Sequence, residues 1–206
     1  MRTRVTLTLL SLLGLAPTIA WRTAGEPWTL GPQSRLWIDG KSTVRKFSCK
    51  APAFTIDADA APGALGAVMA GQKPVRALTV TVPAAKMDCG NGTMNEHMWK
   101  ALKVKDAPTI EFKLADYDVA NSAAGVQGTM RGTLSVGGAQ RPVTIVAQAA
   151  DAGGGAVRVS GAYELHMKEF DLKPPTLMMG TLKVDELVIV NFDLVLQRPT
   201  VATLDR

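Results

Sequence analysis

The chain is 206 residues long, 47% hydrophobic but only 5% aromatic, and carries a formal charge of +5 at neutral pH. This length suits a single β domain, either a sandwich or a barrel. No stretch gathers Lys or Arg between aromatic side chains, so nucleic-acid binding lacks its electrostatic footprint.

Residues 1–20 read as a secretory signal peptide, because Arg2 and Arg4 precede the apolar run from Val5 to Ala16 and Thr18-Ile19-Ala20 supplies the cleavage positions. The run is interrupted by Thr6, Thr8 and Ser11 and falls well short of the roughly twenty apolar residues that a membrane-spanning helix needs. No cysteine stands near the cleavage point, which argues against a lipid anchor. The expected mature protein is one domain, residues 21–206, periplasmic or secreted, with no integral membrane segment left after signal cleavage.

In chain order, short strands are predicted near Arg35 to Gly40, Val44 to Cys49 and Phe54 to Asp57. Leu78, Val80 and Val82 then alternate with threonines, and a helix interrupts the pattern from Thr93 to Leu102. There Met94, Met98, Ala101 and Leu102 recur at helical spacing, and Thr93 and Glu96 are placed as a capping box. Alternation resumes at Ile110, Phe112 and Leu114, extends over a long strand from Val126 to Val136, and continues through Val143, Ile145, Ala147 and Ala149. The last alternating runs are Val157 to Met167 and Val188 to Leu196. Gly137-Gly138 and Gly153-Gly154-Gly155 sit between runs and suit primed hairpin turns. Sequential hairpins of this kind predict an all-β, up-and-down antiparallel barrel of about eight strands with one short amphipathic helix, and a two-sheet sandwich is the alternative.

Cys49 and Cys89 are the two cysteines, and an exported chain is expected to pair them as a structural disulfide. The rival, a redox-active thiol pair, prefers C-x-x-C spacing that is absent here. His97 and His166 read as solvated surface histidines, because no metal-ligand spacing accompanies either, and no metal site is expected. No G-x-S-x-G elbow is present, and no catalytic residue is nominated. Asn91-Gly92-Thr93 matches a glycosylation sequon but is read as a turn. The informative signal lies on the apolar faces. Gly128, Gly132 and Gly161 fall in register with large apolar residues, which either permits strand coiling or leaves space inside the sheet. Met94, Met98, Met130, Met167, Met178 and Met179 are flexible side chains that adapt to an apolar partner or to a core.

Four segments, Trp37 to Phe47, Ala107 to Phe112, Gly132 to Val143 and Phe170 to Pro175, resemble the YceI-like family in order and spacing. The resemblance implies an extended lipocalin-like barrel, exported to the periplasm, that encloses a polyisoprenoid or a similar amphiphilic lipid. Cys49 and the Cys89 to Asn95 stretch resemble a subgroup with a cysteine pair. Many relatives carry histidine where Arg45 stands, so any role of that histidine does not transfer.

The expected function is therefore a non-catalytic carrier of a long-chain amphiphile: a polyisoprenoid, an isoprenoid quinone or a fatty-acyl lipid. The expected lining is Phe47, Phe54, Phe112, Met130, Leu134, Met167, Phe170, Leu177, Met178 and Phe192. No cofactor is obligatory, though a bound isoprenoid lipid or quinone would occupy the interior, and a membrane redox protein is a candidate partner for loading or emptying it. The alternative is a ligand-free structural or stress-related interaction module whose barrel is filled by its own side chains.

Overall fold

A computed structural model describes residues 28–123, 125–177 and 181–198, and of Leu177 the backbone only. Residues 1–20, read above as a signal peptide, and Met178 and Met179 lie outside the described residues. The strands are β1 (Thr29–Leu30), β2 (Arg35–Lys41), β3 (Lys46–Lys50), β4 (Thr55–Ala60), β5 (Val75–Pro83), β6 (Thr109–Ser122), β7 (Gly125–Val136), β8 (Ala139–Gly153), β9 (Ala156–His166), β10 (Thr176–Leu177), β11 (Leu182–Lys183) and β12 (Leu187–Gln197). Helix α1 (Ala64–Met69) follows β4, helix α2 (Gly92–Ala101) follows β5, and single 3-10 turns occupy Ala84–Lys86 and Met167–Phe170.

One curled antiparallel sheet holds all the long strands, in the order β3-β2-β12-β9-β8-β7-β6-β5-β4, and β1 continues the β2 side of β12. The predicted meander holds from β4 to β9, where each strand pairs with its successor. Two of its turns follow directly from glycine pairs. Val136 faces Ala139 across Gly137 and Gly138, with φ of 57° and 83°, and Gly153 faces Ala156 across Gly154 and Gly155, with φ of 61° and 79°. Positive φ at both central residues defines the primed turn whose twist matches the flanking strands.

The sheet then closes through contacts remote in sequence. β12 pairs with β9 on one side and with β2 on the other, which joins the N-terminal strands to the C-terminal one. No ladder joins β3 to β4 among the described residues. One end of that seam is spanned by Lys50 and Asp88, which exchange backbone hydrogen bonds of 2.7 and 2.8 Å, and by the Cys49–Cys89 disulfide beside them. β1 lies against β4 towards the other end.

Three local features depart from the sequence reading, and the first is helix α1, since only one short helix was expected. Helix α2 is where its apolar spacing placed it, but its cap is the Asn91 side chain, which accepts from the Met94 amide at 3.1 Å, and Thr93 lies inside the first turn. In this geometry Asn91-Gly92 opens a helix and does not make the expected turn. A bulge in β6 between Leu114 and Asp116 also moves the inward set from Ile110, Phe112 and Leu114 to Tyr117 and Val119. An extra residue flips every later side chain to the opposite face of a strand.

Candidate functional site

A cavity of about 390 Å³ occupies the end of the barrel beneath α2. That volume lies in the lower part of the roughly 300–1,000 Å³ range of small-molecule pockets. Its walls are apolar because the period-2 faces of the strands converge there: Leu36 and Ile38 from β2, Leu134 and Val136 from β7, and Val188 and Val190 from β12. Helix α2 lies across this end and contributes Met94, His97, Met98 and Ala101 to the lining. The short turn after β9 adds Met167, while Phe170 of the same turn is completely buried behind it.

Polar groups are confined to one side of the cavity, where Ser42, Arg45, Asn91, Thr93 and His97 line it. Arg45, Asn91 and Thr93 are exposed residues, so the cavity reaches the surface between the β2–β3 connection and the start of α2. Among the described residues, Arg45 is the sole Asp, Glu, Lys or Arg in the lining. The Ser42 hydroxyl braces its loop by donating to the Arg45 carbonyl at 2.9 Å and accepting from the Arg45 amide at 3.2 Å. Beside the start of α2, the Asp88 carboxylate accepts from Asn95 Nδ2 at 2.8 Å and from the Gly90 amide at 2.9 Å, and these bonds, the first above all, hold its pKa below the usual carboxylate value. Asn95 Oδ1 accepts in turn from the Cys89 amide at 2.7 Å. This network, with the disulfide between buried Cys49 and half-buried Cys89, fixes the start of α2 over the opening.

A second cavity of about 110 Å³ lies in the other half of the barrel, bordered by α1 and by β6, β7, β8 and β9. Leu65 and Val68 of α1 line it, along with Leu114, Met130, Ala147 and Val159.

Phe47, Leu134 and Met167, expected as lining, do line the large cavity, and Met130 lines the small one. Phe112 and Phe192 line neither; Phe112 belongs to the core cluster with Leu134 and Met167, and Phe192 packs against the cluster with Leu65 and Leu194. Phe54 also lines neither and packs against the buried clusters of both halves, and Phe170 is core. Met178 and the Leu177 side chain lie outside the described residues. His97 is half-buried at the cavity wall and is not the solvated surface histidine expected, because α2 turns that face inward; His166 is exposed. Sequence reasoning missed Leu36, Ile38, Ile110 and the inner face of α2. The alternation around Trp37 and the Met94, Met98 and Ala101 spacing carried that signal.

The YceI-like domain model matches residues 38–196, most of the chain. The chain belongs to the YceI-like family. No curated protein sequence matches it. Among solved structures, it is similar to Burkholderia cenocepacia BcnA, with a TM-score of 0.62, 19% identity, and coverage of 79% of this chain and 96% of that one. A Campylobacter jejuni YceI protein gives a TM-score of 0.55 at 17% identity, covering 74% of this chain and 84% of that one. A polyisoprenoid-binding domain from Saccharophagus degradans, implicated in plant cell wall breakdown, gives 0.57 at 12% identity, covering 84% and 99%. At these identities the YceI-like barrel architecture is what is shared. The cysteine pair is bonded, as expected. Among the described residues, no helix is long and apolar enough to cross a membrane.

Proposed function

We propose that this protein is a non-catalytic carrier that acts after export to the periplasm, holding a single-chain amphiphile of polyisoprenoid or fatty-acyl type. The tail lies in the large cavity and the polar head stays at the mouth. The observation that carries this reading is the combination of a 390 Å³ apolar chamber with a polar rim on one side only. A chamber of this volume suits a single hydrocarbon chain, taken as about a dozen carbons for the burial energy. Burial at about 0.8 kcal/mol per methylene supplies roughly 10 kcal/mol before the costs of ordering the ligand. The head is favoured where Arg45 offers a positive charge and Ser42, Asn91, Thr93 and His97 offer hydrogen bonds. The disulfide suits an oxidising compartment, which supports export. A redox partner draws no support from the geometry and is not part of the proposal.

The test is organic extraction of protein purified without detergent, followed by mass spectrometry, together with displacement of an apolar fluorescent probe by farnesol and by palmitate. The expected result is recovered lipid and saturable displacement. A protein that yields no lipid and binds no probe is the ligand-free module instead. Arg45→Leu is expected to weaken palmitate relative to farnesol by roughly five-fold, the scale of a partly exposed charge contact of about 1 kcal/mol.

A further inference from the structure

We propose that Phe112 and Phe192 form a waist that divides the barrel interior and sets the length of hydrocarbon tail the protein accepts; this rests on the amphiphile-binding reading above. The division is visible strand by strand. On β6, Ile110 lines the large cavity and Leu114 the small one, with Phe112 between them in neither. On β12, Val190 lines the large cavity and Leu196 the small one, with Phe192 and Leu194 between them in neither. The neighbouring strands also pass from one cavity to the other there, across Gly132 between Leu134 and Met130, and across Gly161 and Tyr163 between Leu165 and Val159.

The glycines explain how the rings reach that level. A Cβ at Gly132 would meet the Lys113 carbonyl oxygen and fall 2.7 Å from the Phe112 ring, and one at Gly161 would fall 2.5 Å from the Phe192 ring and 2.6 Å from the Val146 carbonyl oxygen. Each phenylalanine therefore lies over a glycine of the adjacent strand, and the space that a missing side chain leaves is taken by an aromatic ring from the protein itself. β6 and β12 are separated by β7, β8 and β9 in the sheet, so the rings approach from opposite walls. A tail entering from the mouth beneath α2 meets this layer before it reaches the smaller chamber. A tail that fits above the waist gains burial with every carbon, whereas a longer one must displace two packed rings or leave its end outside.

The experiment measures probe displacement by prenols of two, three, four and eight isoprene units, on the wild-type protein and on Phe112→Ala/Phe192→Ala. Wild-type affinity is expected to rise at least tenfold from two to three units and then to change less than twofold per added unit. In the double variant the tenfold rise is expected to continue to four units. If wild-type affinity keeps rising tenfold beyond three units, or if the double variant follows the wild-type length profile, the waist proposal is overturned. Phe112→Leu and Phe192→Leu, which keep the interior apolar, repeat the comparison should the double variant not fold, and a shifted plateau in either supports the proposal. Binding of no prenol at any length is a different result, because it overturns the carrier reading and this inference with it.

Discussion

The two halves of the barrel are built from the same strands and the same alternation, yet one encloses about 390 Å³ and the other about 110 Å³. The difference comes from what covers each end. In the smaller half, α1 packs Leu65 onto Val126, Ala149, Val157, Leu194 and Leu196, and the interior is nearly filled. In the larger half, α2 is held by the Cys49–Cys89 bridge and the Asp88–Asn95 network at its start, so it spans the opening while its apolar side chains line a chamber. A helix tethered at its edge can roof a space that a helix packed by burial alone would fill.

Paired leucines test that contrast most sharply. Leu194 belongs to the filled half and Leu165 to the cavity wall. Leu194→Ala is expected to cost about 3–4 kcal/mol and Leu165→Ala about 2 kcal/mol, because a side chain that already borders empty space gives up fewer contacts. Denaturant titration measures both, and probe binding should change for Leu165→Ala alone. Equal costs would mean that the two halves are packed alike.

Removing the tether comes next. Replacing both cysteines with serine opens a bridge across 40 residues and is expected to lower stability by about 2–4 kcal/mol. Because the bridge sits at the mouth, ligand retention should fall with it. If retention is unchanged, the mouth network holds α2 without the bond.

The smallest effect lies on the outer surface. Asp193 is buried, bonded to Arg158 at 2.6 and 2.5 Å and to Arg35 at 2.8 Å. Arg158 first, and Arg35 after it, hold its carboxyl at a pKa of about 2 despite the opposing effect of burial. A depressed folded-state pKa stabilises the protein above the unfolded carboxylate value near 4, and that contribution disappears as pH falls from about 4 towards 2. Asp193→Asn should cost about 1–2 kcal/mol at neutral pH through its charged hydrogen bonds, and the cost should shrink over that acid window in melting curves. It should leave probe affinity at the mouth unchanged.

Much of this fold was legible in the chain. The strand alternation, the two glycine turns and the apolar spacing of α2 each rest on residues close in sequence, where local sterics and periodicity decide the outcome. The bulge after Leu114 was not legible, because nothing in Ala115-Asp116-Tyr117 marks which residue the ladder skips. Of the site, Phe47, Leu134 and Met167 could be read from their faces, whereas His97 and Arg45 acquire their place only when α2 and the β2–β3 connection meet at the mouth. Gly132 and Gly161 were ambiguous between strand coiling and empty space, and phenylalanines occupy both positions.

Outside the β6 bulge, the sequence by itself determined which side chains face inward, because a two-residue period assigns each residue of a regular strand to one face. Only the tertiary structure decided what those side chains meet. Pairing β12 with β2 joins the N-terminal strands to the C-terminal one, and the strand order places Phe112 on β6 and Phe192 on β12 with three strands between them. Whether inward residues fill a space or border it depends on distances across the barrel, which are set by strands far apart in the chain and by the helices that cover its ends.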